Sequence, residues 1–183
     1  MREVLLDLIL NKKFTKLKEM LSEMNPTDIA IILEEADKKD LPLVFRILPK
    51  ELAAEVFSYM ETDMQQLLIE SFSDSELKDV LDELFMDDTV DIVEEMPAIV
   101  AKRILKQTDP ATRKTINKLL AYPEDCAGSI MTTEYVTLRP HMTVEEAILR
   151  IRRQGVDKET IYTCYVTAKD RKLIGLVTVK DLL

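Results

Sequence analysis

The densest run of side chains that could do chemistry lies between Ser73 and Met96. This stretch holds ten carboxylates and one base, Lys78, so it carries the −9 net charge of the whole chain, while the other 159 residues balance 24 acids against 24 bases. The acids are Asp74, Glu76, Asp79, Asp82, Glu83, Asp87, Asp88, Asp91, Glu94 and Glu95. The acidity of the protein is therefore local, and it is compatible with either a solvated face or a cation site.

Asp87 and Asp91 are four residues apart, which makes them neighbours on one face of a helix. Two carboxylates at about 5–6 Å repel each other by about 3 kcal/mol at an effective dielectric constant of about 20. Oxygen ligands of this kind suit Mg2+ or Ca2+, and Mg2+ keeps several waters beside one or two carboxylates. The chain has no EF-hand string, which disfavours a dedicated Ca2+ site. The pair therefore predicts a weak Mg2+ site.

These acids belong to the third copy of a 24-residue repeat. The copies begin at Asn25, Pro49, Ser73 and Pro97, with proline or capping residues at each start. The eighth position is apolar in every copy, as Ile32, Val56, Val80 and Ile104. Each copy predicts two short helices, of which the second starts near Asp37, Asp63, Asp87 or Asp109. Neither helix buries its apolar face alone, so the pairs should stack into a right-handed or curved superhelix, capped by a helical pair at 2–10 and 14–23.

The repeat register singles out Asp91. The seventh position of the second helix is Leu43 in the first copy and Leu67 in the second, whereas the third copy has Asp91 there. An ionisable group thus stands where the sibling repeats keep an apolar residue. This substitution favours a specific role for the carboxylate over a solvated face.

Beyond Leu120 the sequence changes character. Residues 122–132 bring the first glycine, Gly128, and predict a linker between an all-α domain at 1–121 and a second domain at 133–183. The second domain predicts a strand at 136–138, a helix from a Thr143/Glu146 capping box to Gly155, strands at 160–166 and 173–179, and a helix starting at Asp181. This β-α-β-β-α order, with the closing segment GLVTVKDLL, resembles one CBS module, which normally works in tandem pairs.

Several function classes fit the sequence poorly. The acidic balance disfavours nucleic-acid binding, which needs a basic face. We find no nucleophile–base pair, glycine-rich phosphate loop or His/Cys metal spacing, so we expect no enzyme activity. Cys126 and Cys164 are expected to be reduced thiols, and no apolar run is long enough to span a bilayer.

Taken together, the two halves resemble the cytosolic region of the MgtE family of Mg2+ channels and transporters. The resemblance is carried by Leu48–Val56, by LDELFMDDTVD at Leu81–Asp91 and by YPEDCAGSIMTTEYV at Tyr122–Val136. It implies a helical N domain followed by a first CBS module, with the second CBS module and the membrane-embedded pore absent from this chain. The resemblance also implies a full-length homodimer, and it places the soluble fragment at the cytoplasmic face of the cell membrane.

The resemblance further implies that Mg2+ bridging the N and CBS domains holds the pore closed. The family's Mg2+-binding acids match Glu55, Asp87 and Asp91, and we rank Asp88 below them because it could be a solvated neighbour. Glu55 has mild independent support, because Ile31 occupies its position in the first copy. Partner acids would lie outside this chain, so the Mg2+ sites within it are expected to be partial.

A second match is Thr178 to Asp181, the T-x-x-D pattern whose aspartate holds the ribose of adenine nucleotides in many CBS proteins. Helix N-capping by Thr178 explains the same residues. Two other interpretations therefore stay open. One is an adenine-nucleotide-responsive CBS signalling protein. The other is a helical scaffold resembling flagellar motor-switch proteins, which binds protein partners and no metal.

Overall fold

The computed structural model describes residues 1–123 and 126–183, and these form two compact units. The first unit comprises Met1–Leu84 and Asp88–Pro123. The second comprises Phe85–Asp87 together with the described residues from 126 onward. The predicted linker at 122–132 includes residues 124 and 125, which lie outside the described part of the chain, and the predicted domain boundaries remain predictions.

Short helices build the first unit. Asn25, Ser73 and Asp109 act as N-caps whose side chains accept backbone N–H groups, so the capping residues that mark the repeats do begin helices. The helices are α1 (Arg2–Leu10), α2 (Phe14–Leu21), α3 (Pro26–Glu35), α4 (Leu41–Phe45), α5 (Lys50–Ser58), α6 (Thr62–Ser71), α7 (Asp74–Leu81), α8 (Met86–Glu95), α9 (Ala98–Gln107) and α10 (Pro110–Leu119). Two helices per repeat and a helical pair before them are as predicted.

Helix α4 departs from the predicted pattern. The second helix of the first repeat was expected to start near Asp37, but it begins four residues later, at Leu41, and has only five residues. Pro42 lacks a backbone N–H and is tolerated only in the first turn of a helix. A helix starting at Asp37 would place Pro42 in its interior, so the chain forms a turn first.

The repeat columns form the core of the first unit. The four residues at the eighth position are all buried, and Phe45 packs against Phe57 and Phe72 with ring centroids 6.0 and 5.4 Å away. Helices α3, α5, α7 and α9, the first helix of each copy, pack in sequence against one another. Leu105 and Leu120 of the fourth copy are less buried than their counterparts in the earlier copies.

The second unit has the predicted β-α-β-β-α order. It contains β1 (Tyr135–Leu138), α11 (Val144–Gln154), β2 (Thr160–Thr167), β3 (Leu173–Thr178) and α12 (Val179–Leu182), with a 3-10 turn at Gly155–Asp157. Strand β2 pairs in parallel with β1 and antiparallel with β3. Helix α12 begins two residues before the predicted start because Thr178 is its N-cap.

One face of this sheet is covered by α11. Val136, Leu138 and Cys164 from the strands form a buried cluster with Ala147 and Ile151 from the helix. Burial raises the pKa of the Cys164 thiol, which favours its neutral form. Among the described residues of both units, no helix is long and apolar enough to cross a membrane.

Candidate functional site

The acids of α7, the first helix of the third repeat, are paired with basic side chains. Across repeats, Lys50 Nζ lies 2.7 Å from Asp79, Arg46 lies 2.6 Å from Glu76, and Arg103 lies 3.3 Å from Asp74. Within the repeat, Lys78 pairs with Asp82, just after the helix, at 2.5 Å. These contacts account for four of the ten acids of the repeat, three of them paired with bases of other repeats and one with Lys78 of the same repeat.

Glu76 has two partners. Its carboxylate accepts from the Arg46 guanidinium and from the backbone N–H of Ser73, where it completes a capping box. The Arg46 hydrogen bond is the main cause, and the Ser73 bonds a further one, that lower the pKa of Glu76 to about 2. This carboxylate therefore stays ionised and stabilises the repeat stack, and it is not a candidate ligand.

The acids of α8 are placed differently. Val90, Ile92 and Val93 are buried, so they fix the rotation of the helix, and Asp91 lies on an exposed position. The first residue of α8, Met86, donates its backbone N–H to Oε2 of Glu134 at 2.7 Å. A carboxylate at this end of a helix is favoured because it satisfies a free N–H and opposes the positive end of the helix dipole.

The negative charge of Asp87 acts on the Glu134 carboxyl group within the second unit. Burial is the main cause that raises the pKa of Glu134, and the negative charges of Asp87 and Glu159 raise it further, against the Met86 hydrogen bond that lowers it. Oδ1 of Asp87 is buried and has no hydrogen-bond partner among the described residues. Buried carboxylate oxygens are nearly always satisfied, so this oxygen favours a positively charged ligand.

Asp88 and Asp91 lie together in a different place, a cleft of about 290 Å³ within the first unit. Two further carboxylates line this cleft, Glu61 and Glu95. The remaining lining residues are Ser58, Tyr59, Met60, Thr62, Gln65 and Ile92. The cleft therefore gathers four carboxylates, of which Glu61 is the N-cap of α6 and the other three lie on α8.

Two hydrogen bonds hold the walls of the cleft. Thr62 Oγ1 donates to Glu95 at 2.5 Å, and buried Gln65 donates through Nε2 to the backbone oxygen of Phe57 at 2.8 Å. The first bond ties α6 to α8, and the second ties α6 to α5. Carboxylates gathered in one cleft concentrate negative potential, and hard divalent cations prefer oxygen ligands of this type.

The predicted metal ligands are therefore not gathered at one place. Asp88 and Asp91 share the cleft, Asp87 groups with the second unit, and Glu55 is exposed on α5 and does not line the cleft. Within residues 1–123 and 126–183, no three His, Cys, Asp or Glu side chains form a group that could hold a metal ion. The assignment of Glu55, Asp87, Asp88 and Asp91 as partial Mg2+ sites remains a prediction.

The sequence does not single out Glu134, although this residue lies in the segment Tyr122–Val136. Its contact with Met86 joins residues 48 apart in sequence, and neither hydrophobic period nor capping pattern reports a contact of that range. The one available signal is its position directly before a strand, which many solvated acids share.

Thr178 and Asp181 form a reciprocal capping box at the start of α12. Asp181 Oδ2 accepts from the backbone N–H of Thr178 at 2.9 Å and lies 2.6 Å from its Oγ1. The hydroxyl contact is the largest cause that lowers the pKa of Asp181. The capping interpretation thus describes the observed contacts, and the nucleotide-binding role of both residues remains a prediction.

Comparison with known families gives two matches that divide the chain. The family described as "MgtE intracellular N domain" matches residues 24–125, which is more than half of the chain. The family described as "CBS domain" matches residues 127–183. The predicted order of a helical repeat domain followed by one CBS module agrees with both.

The chain is similar to two curated proteins named magnesium transporter MgtE. It is 36% identical over 171 residues to the one from Thermus thermophilus, covering 91% of this chain and 38% of that protein. It is 23% identical over 176 residues to the one from Bacillus subtilis, covering 96% of this chain and 39% of that protein. The chain thus spans about two fifths of the length of these relatives.

Two solved structures share the fold with a TM-score of 0.87 each. One is the cytosolic domain of the Mg2+ channel MgtE in complex with ATP, 35% identical, with 98% of this chain and 74% of that chain covered. The other is the soluble part of a magnesium transporter, 25% identical, with 99% of this chain and 72% of that chain covered. These likenesses confirm the predicted class of mostly α protein with a helical repeat domain and a CBS module.

Proposed function

Because the chain belongs to the MgtE family of magnesium transporters, we propose that it is the Mg2+-sensing regulatory region of such a transporter. In this proposal Mg2+ binds acids between the N and CBS domains and favours the closed pore. The ligands contributed by this chain are Glu55, Asp87 and Asp91, with Asp88 as a lower-ranked candidate. The proposed partners of this region are the second CBS module and the pore domain of the full-length protein. The full-length protein is a homodimer in this proposal, and the region lies at the cytoplasmic face of the membrane.

The observation that carries the proposal is the environment of the Asp87 carboxylate. Its buried Oδ1 has no hydrogen-bond partner among the described residues, and it lies close enough to Glu134 to raise the pKa of that carboxyl group. A divalent cation bound to Asp87 would offset both the desolvation of the oxygen and the repulsion from its neighbour.

The cleft around Asp88 and Asp91 supports the same proposal from the first unit. Its four carboxylates repel one another, so an arriving cation lowers the free energy of the folded state and not that of the unfolded chain. A cation held by only one or two protein carboxylates binds weakly, which suits a sensor of abundant free Mg2+.

The test is a Mg2+ titration of thermal unfolding. Binding to the folded state alone raises its stability by RT ln(1 + [Mg2+]/Kd), which is about 1.4 kcal/mol at ten times Kd. For a chain of this length that corresponds to an increase in Tm of about 3–6 °C. The double variant Asp87→Asn/Asp91→Asn should lose most of the increase.

A matched double variant, Glu23→Gln/Asp28→Asn, removes the same charge from acids outside the third repeat and should keep the full increase. NaCl at equal ionic strength controls for screening. Equal Mg2+ responses in both double variants, or an NaCl response as large as that of Mg2+, would refute the assignment of these ligands.

A second ligand is proposed for the CBS half. The solved relative with ATP bound and the T-x-x-D pattern ending at Asp181 favour an adenine nucleotide as a regulatory co-ligand. Thr178 holds the carboxylate of Asp181 at the start of α12. Ribose binding would use the oxygen of Asp181 that the capping box leaves available. No observation favours the scaffold alternative.

A further inference from the structure

The fourth copy of the repeat differs in charge from the other three. Between Pro97 and Leu120 it has six bases and one acid, a net charge of +5, whereas the first three copies are acidic, at −2, −4 and −9. The single acid, Asp109, is the N-cap of α10, and its carboxylate accepts the backbone N–H groups of Ala111 and Thr112. The excess positive charge of the repeats therefore lies on α9 and α10.

The arginines of this copy have partners within the protein, whereas its lysines do not. Arg103 pairs with Asp74, and Arg113 donates to the backbone oxygen of Thr108 at 2.8 Å. The four lysines are exposed, and among residues 1–123 and 126–183 none of them forms an ion pair. Their charge is therefore available to a partner outside the chain. These residues are Lys102, Lys106, Lys114 and Lys118.

An exposed isoleucine lies on the same face of α9 as two of these lysines. Ile99 is 86% exposed, and Lys102 and Lys106 follow it after three and seven residues, so the three share the side of the helix opposite buried Val100 and Ile104. Ile99 occupies the third position of the repeat. An apolar side chain thus stands at the surface where the sibling copies keep polar ones. The siblings are Thr27, Glu51 and Ser75.

An isoleucine beside unpaired lysines is complementary to the surface of an anionic bilayer. The apolar side chain enters the boundary of the acyl chains, while the lysine stems lie along it and extend their ammonium groups to the lipid phosphates. Nucleic acid fits this face less well, because the fourth copy has no aromatic side chain on which bases could stack. An acidic peptide fits less well too, because arginine is the residue that pairs carboxylates best, and both arginines are already held.

We propose that the α9 face formed by Ile99, Lys102 and Lys106 binds the anionic lipid surface of a membrane. Lys114 and Lys118, on the next helix, add to the positive potential. The net charge of −9 does not prevent this contact, because charges are screened beyond about 8 Å at physiological ionic strength and the lipid responds to the nearest side chains. Each lysine close to an anionic surface raises the affinity about fivefold, so binding by this short face is weak and falls as salt is added.

This inference rests on the location at the cytoplasmic face of a membrane that is included in the proposed function, for which it names the surface that meets lipid. It uses neither the acidic cleft nor Asp87. Failure of lipid binding would leave the Mg2+ response of unfolding intact, and failure of Mg2+ sensing would leave lipid binding intact. Measuring both properties on the same protein therefore separates the two proposals.

Cosedimentation of the 183-residue chain with vesicles of phosphatidylglycerol and phosphatidylcholine tests the proposal. EDTA is present, so that Mg2+ does not bridge the acidic repeat to the lipid. Wild-type protein should bind these vesicles at low salt and should not bind vesicles of phosphatidylcholine alone. The variant Lys102→Glu/Lys106→Glu should lose about 25-fold in affinity or more, because two lysines contribute about fivefold each. The control Lys12→Glu/Lys16→Glu makes the same charge change at exposed lysines of the first helical pair and should bind like wild type.

Ile99→Ser tests the apolar contact without changing the charge. It places the residue of the third copy at this position and should reduce vesicle binding about tenfold, the loss expected when an isoleucine no longer leaves water. Because Ile99 is 86% exposed, the variant should keep the helical circular dichroism and the Tm of wild type. Wild-type affinity in Ile99→Ser would mean that the face binds by charge alone and would overturn the proposed insertion.

A polarity-sensitive fluorophore distinguishes a bilayer from a soluble polyanion. In a Cys126→Ser background, with Cys164 buried, a label on Ile99→Cys should shift its emission to the blue with anionic vesicles and not with heparin, whereas a label on Thr15→Cys should not respond. No binding to anionic vesicles at low salt, or binding that Lys102→Glu/Lys106→Glu leaves unchanged, would overturn the proposal. An equal shift with heparin would overturn it as well, because the partner would then be a soluble polyanion.

Discussion

The backbone N–H of Met86 donates to the Glu134 carboxylate across 2.7 Å, so an acid next to β1 closes the first turn of α8. The residue after Met86 is Asp87, whose charge raises the pKa of the same carboxyl group. One side chain thus both caps the helix that carries the proposed ligands and repels one of them. Its two effects are separable by substitution.

Replacement of Glu134 should give opposite results for two variants. Glu134→Ala removes the acceptor for the Met86 N–H and should lower the free energy of unfolding by about 1 kcal/mol. Glu134→Gln keeps an acceptor oxygen and removes the negative charge, so it should be at least as stable as wild type near neutral pH. Urea unfolding without Mg2+ measures both. Equal losses in the two variants would mean that the hydrogen bond to Met86 contributes nothing.

Glu76 should contribute to the decrease in the free energy of unfolding at low pH. Its pKa in the folded protein is about 2, against 4.5 for the free side chain, so the stability it contributes is present above pH 4.5 and lost as the pH falls toward 2. Because the carboxylate is partly solvent-exposed, we expect about 1 kcal/mol or less. The unfolding free energy of Glu76→Gln should fall less steeply than that of wild type between pH 5 and pH 2.5, roughly the window set by these two values.

The matched control for that measurement is Glu23→Gln, which changes the same residue type at an exposed site. It should follow the wild-type curve. If Glu76→Gln and wild type lost stability in parallel across the whole range, the Arg46 contact would not be the source of the acid sensitivity.

The exposed position of Asp91 predicts how substitutions in α8 change the free energy of unfolding. The equivalent Leu43 is 43% exposed, so the seventh position of the second helix lies at the surface even in an apolar sibling. Asp91→Leu should therefore change the unfolding free energy without Mg2+ by no more than about 0.5 kcal/mol. The neighbouring substitution Val90→Asp buries a carboxylate and should cost about 3 kcal/mol or more. Comparable losses would show that α8 is rotated relative to the structure described here.

Asp181→Asn should weaken ATP binding in isothermal titration calorimetry. A hydrogen bond to a charged carboxylate contributes about 1.5–3 kcal/mol, so removing the charge should reduce affinity about tenfold or more. Asp170→Asn alters an acid in the β2–β3 turn of the same unit and should bind like wild type. Equal affinity in both variants would leave Asp181 with its capping role alone.

Sequence alone determined where most helices begin. Helix starts depend on local chemistry, because an N-cap side chain such as Ser73 bonds to an N–H only three residues away. The 24-residue spacing of such residues therefore predicted the helix pairs, and the capping box at Thr143 predicted α11. Pro42 carried the local signal that α4 must start late, but the repeat register outweighed it in the prediction.

Only the tertiary structure decided which groups lie against each carboxylate of the acidic repeat. Arg46 reaches Glu76 across 30 residues, and Met86 reaches Glu134 across 48. Such pairings depend on how the helices stack and on which distant segments of the chain come into contact. Hydrophobic periodicity reports only the local structure of a segment and carries no information about these contacts. For that reason the sequence located the acidic repeat as a whole, whereas the structure placed the acids of α7 beside bases of other repeats, Asp87 within the second unit, and Asp88 and Asp91 in one cleft of the first unit.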